Sequence, residues 1–199
     1  MRITWLVIFA AVFIWSAIEP KDRITWLLEV SPALIALIIL AVTYNKFRLT
    51  PLVYWLILFH CVILMIGGHY TYADVPWFED IESITGSPRN DFDKLAHFFQ
   101  GFVPAVIARE ILIRFNVING RWWRDFFIVC FCLAVSAFYE MIEWWVAVAS
   151  GDSAVAFLGT QGYEWDTQSD MALAMVGAIT GLLLLADYHD TQLKRLRTM

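Results

Sequence analysis

Apolar segments recur six times along the chain, at Ile3–Ile18, Ile24–Tyr44, Leu49–Gly68, Leu95–Phe115, Phe126–Ala149 and Met171–Ala186. A helix needs about 20 residues to cross a bilayer, within a range of roughly 17–25. The first and last segments are short by their uncharged cores and are completed by flanking residues. Polar punctuation separates the spans. Glu19-Pro20-Lys21-Asp22-Arg23 predicts a tight turn, Pro51 opens the third span where its missing N–H costs nothing, and Gly67-Gly68 predicts its end. Pro32 predicts a kink near the start of the second span.

Two connections break the rhythm. Residues 69–94 are too many for a simple turn. Within them Trp77, Phe78, Ile81 and Ile84 alternate with Glu79, Asp80 and Glu82, the spacing of a short interfacial helix with aromatic anchors. Asn90 or Asp91 is placed to cap the fourth span, with Asp93 at its positive end. Residues 150–169 carry Gly151, Gly159 and Gly162 around Phe157 and Leu158, and are expected to dip into the mouth of the bundle.

Composition agrees with the pattern. Of 199 residues, 60% are hydrophobic, against roughly 45–50% in soluble domains. The expected fold is all-α: one integral membrane bundle of six transmembrane helices over residues 1–199, with 69–94 and 150–169 as its two long loops. The first segment has only Arg2 before it, is interrupted by Trp5 and Trp15, and shows no small-x-small cleavage site before Glu19, so it is read as a helix and not a signal peptide.

Charge sets the expected orientation. Arg2, Lys46, Arg48, Arg109, Arg114, Arg121, Arg124, Lys194, Arg195 and Arg197 fall on one side, against Lys21, Arg23, Arg89 and Lys94 on the other. The positive-inside rule then places both termini in the cytoplasm and both long, acidic loops outside. Cys61, Cys130 and Cys132 lie in predicted spans without paired spacing and read as small buried hydrophobes. No basic patch points to nucleic acid and no glycine-rich loop to phosphate, so membrane lipids are the expected partners; the sequence identifies no protein partner.

The chemistry lies where charge enters the spans. Glu140 and Glu143 sit inside Phe126–Ala149. Glu140 falls roughly 20 Å from the inner end of that helix and Glu143 about 5 Å further out, three residues apart on one face. Ionisable groups at such depth are costly and by default suggest function. Trp144 and Ser136 share the face of Glu140. Asp93 and His97 are four apart at the outer end of the fourth span, and Gln100, Gly101 and Pro104 continue that stripe inward, Pro104 freeing the carbonyl of Gln100. Asp166 and Asp170 are four apart at the outer end of the sixth span; Glu29 lies in the outer half of the second, and His69 closes the third. No comparable cluster is expected at the cytoplasmic end. There, snorkelling and a Glu–Arg pair account for Arg109, Glu110 and Arg114, and His60 is read as a core hydrogen-bonding residue. Ala174, Gly177, Ala178 and Gly181 form a packing face.

Three chemistries fit the outer cluster. A divalent metal ion would take His97, Glu140, Glu143 and Asp170 as ligands. Metal-free acid–base catalysis would use Glu140, Glu143, His97, Asp93 and Asp170, with Asp93 orienting His97. A purely structural network would pair the acids with Lys94, Tyr70, Tyr72, Gln161 and Gln168. His69, Tyr70, Gln100, Trp144, Gln161 and Asp166 are the expected substrate-binding residues.

The segments Gly67-Gly68-His69-Tyr70-Thr71-Tyr72, Asp93-Lys94-Leu95-Ala96-His97-Phe98, Glu140-Met141-Ile142-Glu143-Trp144 and Trp165-Asp166-Thr167-Gln168-Ser169-Asp170-Met171 resemble the YjdF-type family of bacterial inner-membrane proteins, over nearly the whole chain. The resemblance implies a location in the inner membrane and no particular reaction. Asp93-Lys94 with His97, Glu140, Gln161, and Asp170 followed by Gly177 and Gly181 are more distantly similar to the VanZ-like family associated with glycopeptide resistance. Where that family carries an Asn four residues after the last Asp, this chain has Ala174. That likeness implies an outward-facing site at the cell envelope. The expected function is an enzyme or binding protein for a lipid or cell-wall precursor. The alternatives are a small proton-coupled transporter and a structural protein.

Overall fold

The computed structural model describes residues 2–85, 89–150 and 161–197, and places seven helices among them. They are α1 (Arg2–Ala17), α2 (Arg23–Thr43), α3 (Pro51–Tyr70), α4 (Pro76–Thr85), α5 (Phe92–Arg114), α6 (Arg121–Ser150) and α7 (Asp166–Arg197). The protein is all-α, as the hydropathy pattern predicts. α2, α3, α5, α6 and α7 are long and apolar enough to cross a membrane. α1 has 16 residues, about 24 Å, and is shorter than a full span by its own length. It runs alongside α3 in the same direction, from the Trp5 Nε1–H bond to the Tyr54 carbonyl to the 3.1 Å contact of His69 Nδ1 with the Ser16 carbonyl.

Local chemistry sets most helix starts. Asp22 caps α2 by accepting from the Thr25 N–H at 2.7 Å, and that bond holds its carboxyl below the usual carboxylate range. Thr50 caps α3, with Pro51 in the first turn. α4 is the short helix that the spacing of Trp77, Phe78, Ile81 and Ile84 predicts.

Two expectations about helix ends are corrected. Gly67-Gly68 does not stop α3, which continues to Tyr70 and ends on Thr71 in the left-handed region, φ 62°. The glycines are there for space: the ring of Tyr72 occupies the position of a Cβ on Gly67, and Glu29 and Val30 press on Gly68. α7 starts at Asp166, as the spacing of Asp166 and Asp170 predicts, but runs well past Ala186 at its other end, because its polar flank there, His189 and Gln192, is buried against the bundle. The expected dip of 150–169, with Gly151, Gly159, Phe157 and Leu158, falls largely outside the described residues. Cys130 is exposed on the bundle surface, unlike buried Cys61 and Cys132.

α5 and α7 form the closest helix pair. Gly101 backs directly onto the Ala174 backbone, Gly177 onto the Phe98 backbone, and Gly181 faces the Phe102 carbonyl. Any side chain at these positions would wedge the pair apart, so this is the small-residue packing the sequence predicts. α2 and α1 pack on α3, and α6 packs on α5 and α7. Both chain termini reach one end of the bundle: the Arg2 guanidinium lies 3.7 Å over the Tyr44 ring, and Gln192 of α7 accepts from the Leu52 N–H.

Candidate functional site

The close α5–α7 contact sets the site. It holds the first turns of both helices side by side, so that His97 faces Asp170. His97 Nε2 lies 3.4 Å from Asp93, 3.8 Å from Glu140 and 3.9 Å from Asp170. On its other side, His97 Nδ1–H donates to Gln100 Oε1 at 3.0 Å. A hydrogen bond at one ring nitrogen orients the ring, and here it turns Nε2 toward the acids. His97, Asp93, Glu140, Glu143, Asp166 and Asp170 are all buried.

Two sets of three side chains meet at His97 with metal-ligand spacing: Asp93, His97 and Asp170, and His97, Glu140 and Glu143. In each set the ligand atoms lie within 4.8 Å of one another. Glu140 Oε1 and Asp170 Oδ1 are buried and accept no hydrogen bond. Unsatisfied buried acceptors cost free energy and call for a partner.

Around this core the structure adds residues that spacing along the chain left out. Arg89 is buried between α5 and α7, bonding Asp166 and approaching Asp93 at 3.4 Å. Tyr139 donates to Glu29 at 3.0 Å, tying α6 to α2. A cavity of about 220 Å³ opens beside the cluster, lined by Glu29, His60, Asp93, His97, Gln100 and Glu143, among others. Buried Tyr72 lines it too; burial, with Glu29 close by, pushes its phenol well above the usual tyrosine range and keeps it a neutral donor. His60 is not the core hydrogen-bonding residue expected: its Nε2 has no hydrogen-bond partner, and the ring lines this cavity. The signal for Tyr139 was present, since it lies four residues before Glu143 on one helix face. Arg89 gave none, because it precedes its helix and is brought in by the turn at Asn90.

Other expected site residues lie elsewhere. His69 bonds the Ser16 carbonyl, lies tilted against Trp15 and meets Tyr70 edge-on, so it serves the α1–α3 junction. Tyr70 belongs to that aromatic group and meets Trp77 edge-on. Trp144 is 59% exposed, because one residue past Glu143 turns it about 100° round α6 from that buried carboxylate. Gln161 exchanges two hydrogen bonds with the Asn90 backbone, at 2.9 and 3.0 Å, and latches the segment before α7 onto the start of α5. Lys94 pairs with Asp91 and not with the cluster.

The opposite end of the bundle also departs from expectation. Glu110, fully buried, accepts from the Thr50 N–H and hydroxyl, from Arg114 and from His189. Arg109 donates to His189 Nδ1 at 3.0 Å and to Asp190 at 2.6 Å. A second polar cluster therefore exists there, and snorkelling does not describe it. The contributing signal, His189, lay beyond the expected end of the last span.

The comparisons with known proteins agree with this architecture. The family described as Predicted membrane protein (DUF2238) matches residues 1–191. The inner membrane protein YjdF of Escherichia coli (strain K12) is 50% identical over 184 residues, covering 92% of this chain and 88% of that protein. No solved structure matches. With five helices long and apolar enough to cross a bilayer, this chain is a multi-pass inner-membrane protein and belongs to the DUF2238 family of membrane proteins.

Proposed function

We propose that the His97 cluster binds a divalent cation in the outer half of the membrane and that the protein acts there on a lipid or lipid-linked envelope precursor. The carrying observation is the convergence of two buried three-residue ligand sets on one histidine, with acceptor oxygens of Glu140 and Asp170 left without hydrogen bonds. The donor set, one imidazole with carboxylates, suits zinc or manganese. Six carboxyl groups (Glu29, Asp93, Glu140, Glu143, Asp166, Asp170) crowd round Arg89 and the His97 imidazole, and a divalent ion offsets that excess of acids.

Asp93, His97 and Asp170 would hold the ion, with Glu140 close beside His97 and with Gln100 and Arg89 fixing His97 and Asp166 behind them. A bound ion supplies Lewis acidity and a water acidic enough to act at neutral pH. Glu143 and Tyr139 face the cavity, where a substrate group would enter, and Glu143 is the carboxylate placed to take a proton there.

A proton-coupled carrier is less well supported. The groove that adjoins the His97 cavity is lined mainly by apolar side chains, and the Glu110–His189 pair is buried and internally bonded. The test is the metal content of protein purified in mild detergent and loaded with zinc or manganese. About one ion per chain is expected, lost in His97→Ala and Asp170→Asn. A wild-type protein that retains no ion above the level of His97→Ala overturns the reading.

A further inference from the structure

A second cavity, about 500 Å³, lies against α3 between α2 and α5. Its walls are almost wholly apolar, among them Ala36, Ile57, Leu64, Val103, Ile107 and Phe115. It is not separate from the site. Pro32, His60, Leu64 and Pro104 line both this cavity and the polar one beside His97. Prolines on two helices thus flank the junction, where neither position carries an N–H to satisfy. From Pro104 to Phe115 the groove follows α5 for about 16 Å. Its volume falls within the roughly 300–1,000 Å³ of pockets that bury small ligands. Ile39, Ile111 and Phe115 on its wall are also exposed on the bundle surface, so the groove is accessible sideways from the hydrocarbon of the bilayer.

Resting on the function proposed above, we infer that the substrate is a lipid whose polar group enters the His97 cavity while one of its hydrocarbon chains lies in the groove between α2 and α5. The join of one polar and one apolar chamber through His60, Pro32 and Pro104 matches an amphiphile and not a water-soluble substrate. His60 marks the boundary: its Nε2, without a hydrogen-bond partner, stands where the polar end of such a molecule gives way to its chain.

The experiment uses the full chain in vesicles doped with phosphatidylglycerol bearing a diazirine at the end of one acyl chain, with adducts mapped by mass spectrometry and metal content measured in parallel. Adducts are expected on Ala36, Ile57 and Ile107 in preference to Leu183 and Leu184, which are exposed on the outside of α7. Ala36→Phe is expected to cut groove labelling about tenfold by denying burial to about two methylene groups. Its metal content should stay unchanged, and Leu184→Phe should leave labelling as it was. Ile107→Trp fills the same groove and serves where Ala36→Phe does not fold. Labelling spread evenly over groove and outer leucines, or undiminished by both filling variants, overturns the inference. Groove labelling in a protein that binds no ion leaves the groove standing and removes the metal reading alone.

Discussion

The two ends of the bundle each bury a histidine among carboxylates, and they differ in how completely those groups are paired. At the end where the termini meet, Glu110 receives four donor groups, from the Thr50 backbone and hydroxyl, Arg114 and His189, and Arg109 spans His189 and Asp190. At the other end, carboxyls outnumber cations, and oxygens of Glu140 and Asp170 are buried without a hydrogen bond. A satisfied network holds helices together. An unsatisfied one costs stability, and here a cavity lined by Asp93, His97 and Glu143 of the same cluster lies beside it. Burial of charge alone does not distinguish a site from a strut; completeness of pairing does.

That contrast is most open to attack at Glu110. Glu110→Ala strands Arg114, His189 and the Thr50 donors inside the bundle, and a loss of about 3–5 kcal/mol is expected. Thermal unfolding in detergent measures it; an unchanged midpoint would break the comparison. At the other end the signs should reverse. Asp170→Asn and Glu140→Gln each remove a charge from a crowded cluster, so the unfolding midpoint of ion-free protein should hold or rise while ion binding is lost. A fall comparable to that of Glu110→Ala would show that the cluster is a strut as well. Gln100→Leu is subtler. It frees His97 Nδ1, so ion affinity should fall roughly 10–100-fold in an equilibrium titration, with the ligands themselves intact. Smallest of all, Asp22→Ala should cost about 1 kcal/mol through the lost α2 cap. Because the Asp22 carboxyl is held below its ordinary value, this contribution is present at neutral pH and fades as the medium is acidified through and below the ordinary aspartate range. Unfolding midpoints of wild type and variant should therefore converge at low pH.

Much of this was legible along the chain. Asp93 with His97, Glu140 with Glu143, and Asp166 with Asp170 are recurrences at helical spacing near the same end of their helices, and the structure gathers all six. Gln100 was legible for the same reason. His69 and Trp144 misled because depth in a helix says nothing of azimuth: both sit at the right level and face elsewhere. Arg89 and His189 escaped because each lies outside the apolar segments by which spans are recognised, yet each is folded back into the interior.

The sequence by itself determined that this is an all-helical membrane protein with its acids gathered toward one end, because hydropathy and helical rise act locally. Only the tertiary structure decided which polar groups find partners. That depends on how closely α5 meets α7 at Gly101 and Gly177, on Arg89 being carried between them, and on α2 and α5 standing apart around a groove. Such distances are set by packing between residues far apart in the chain, which no spacing along it encodes.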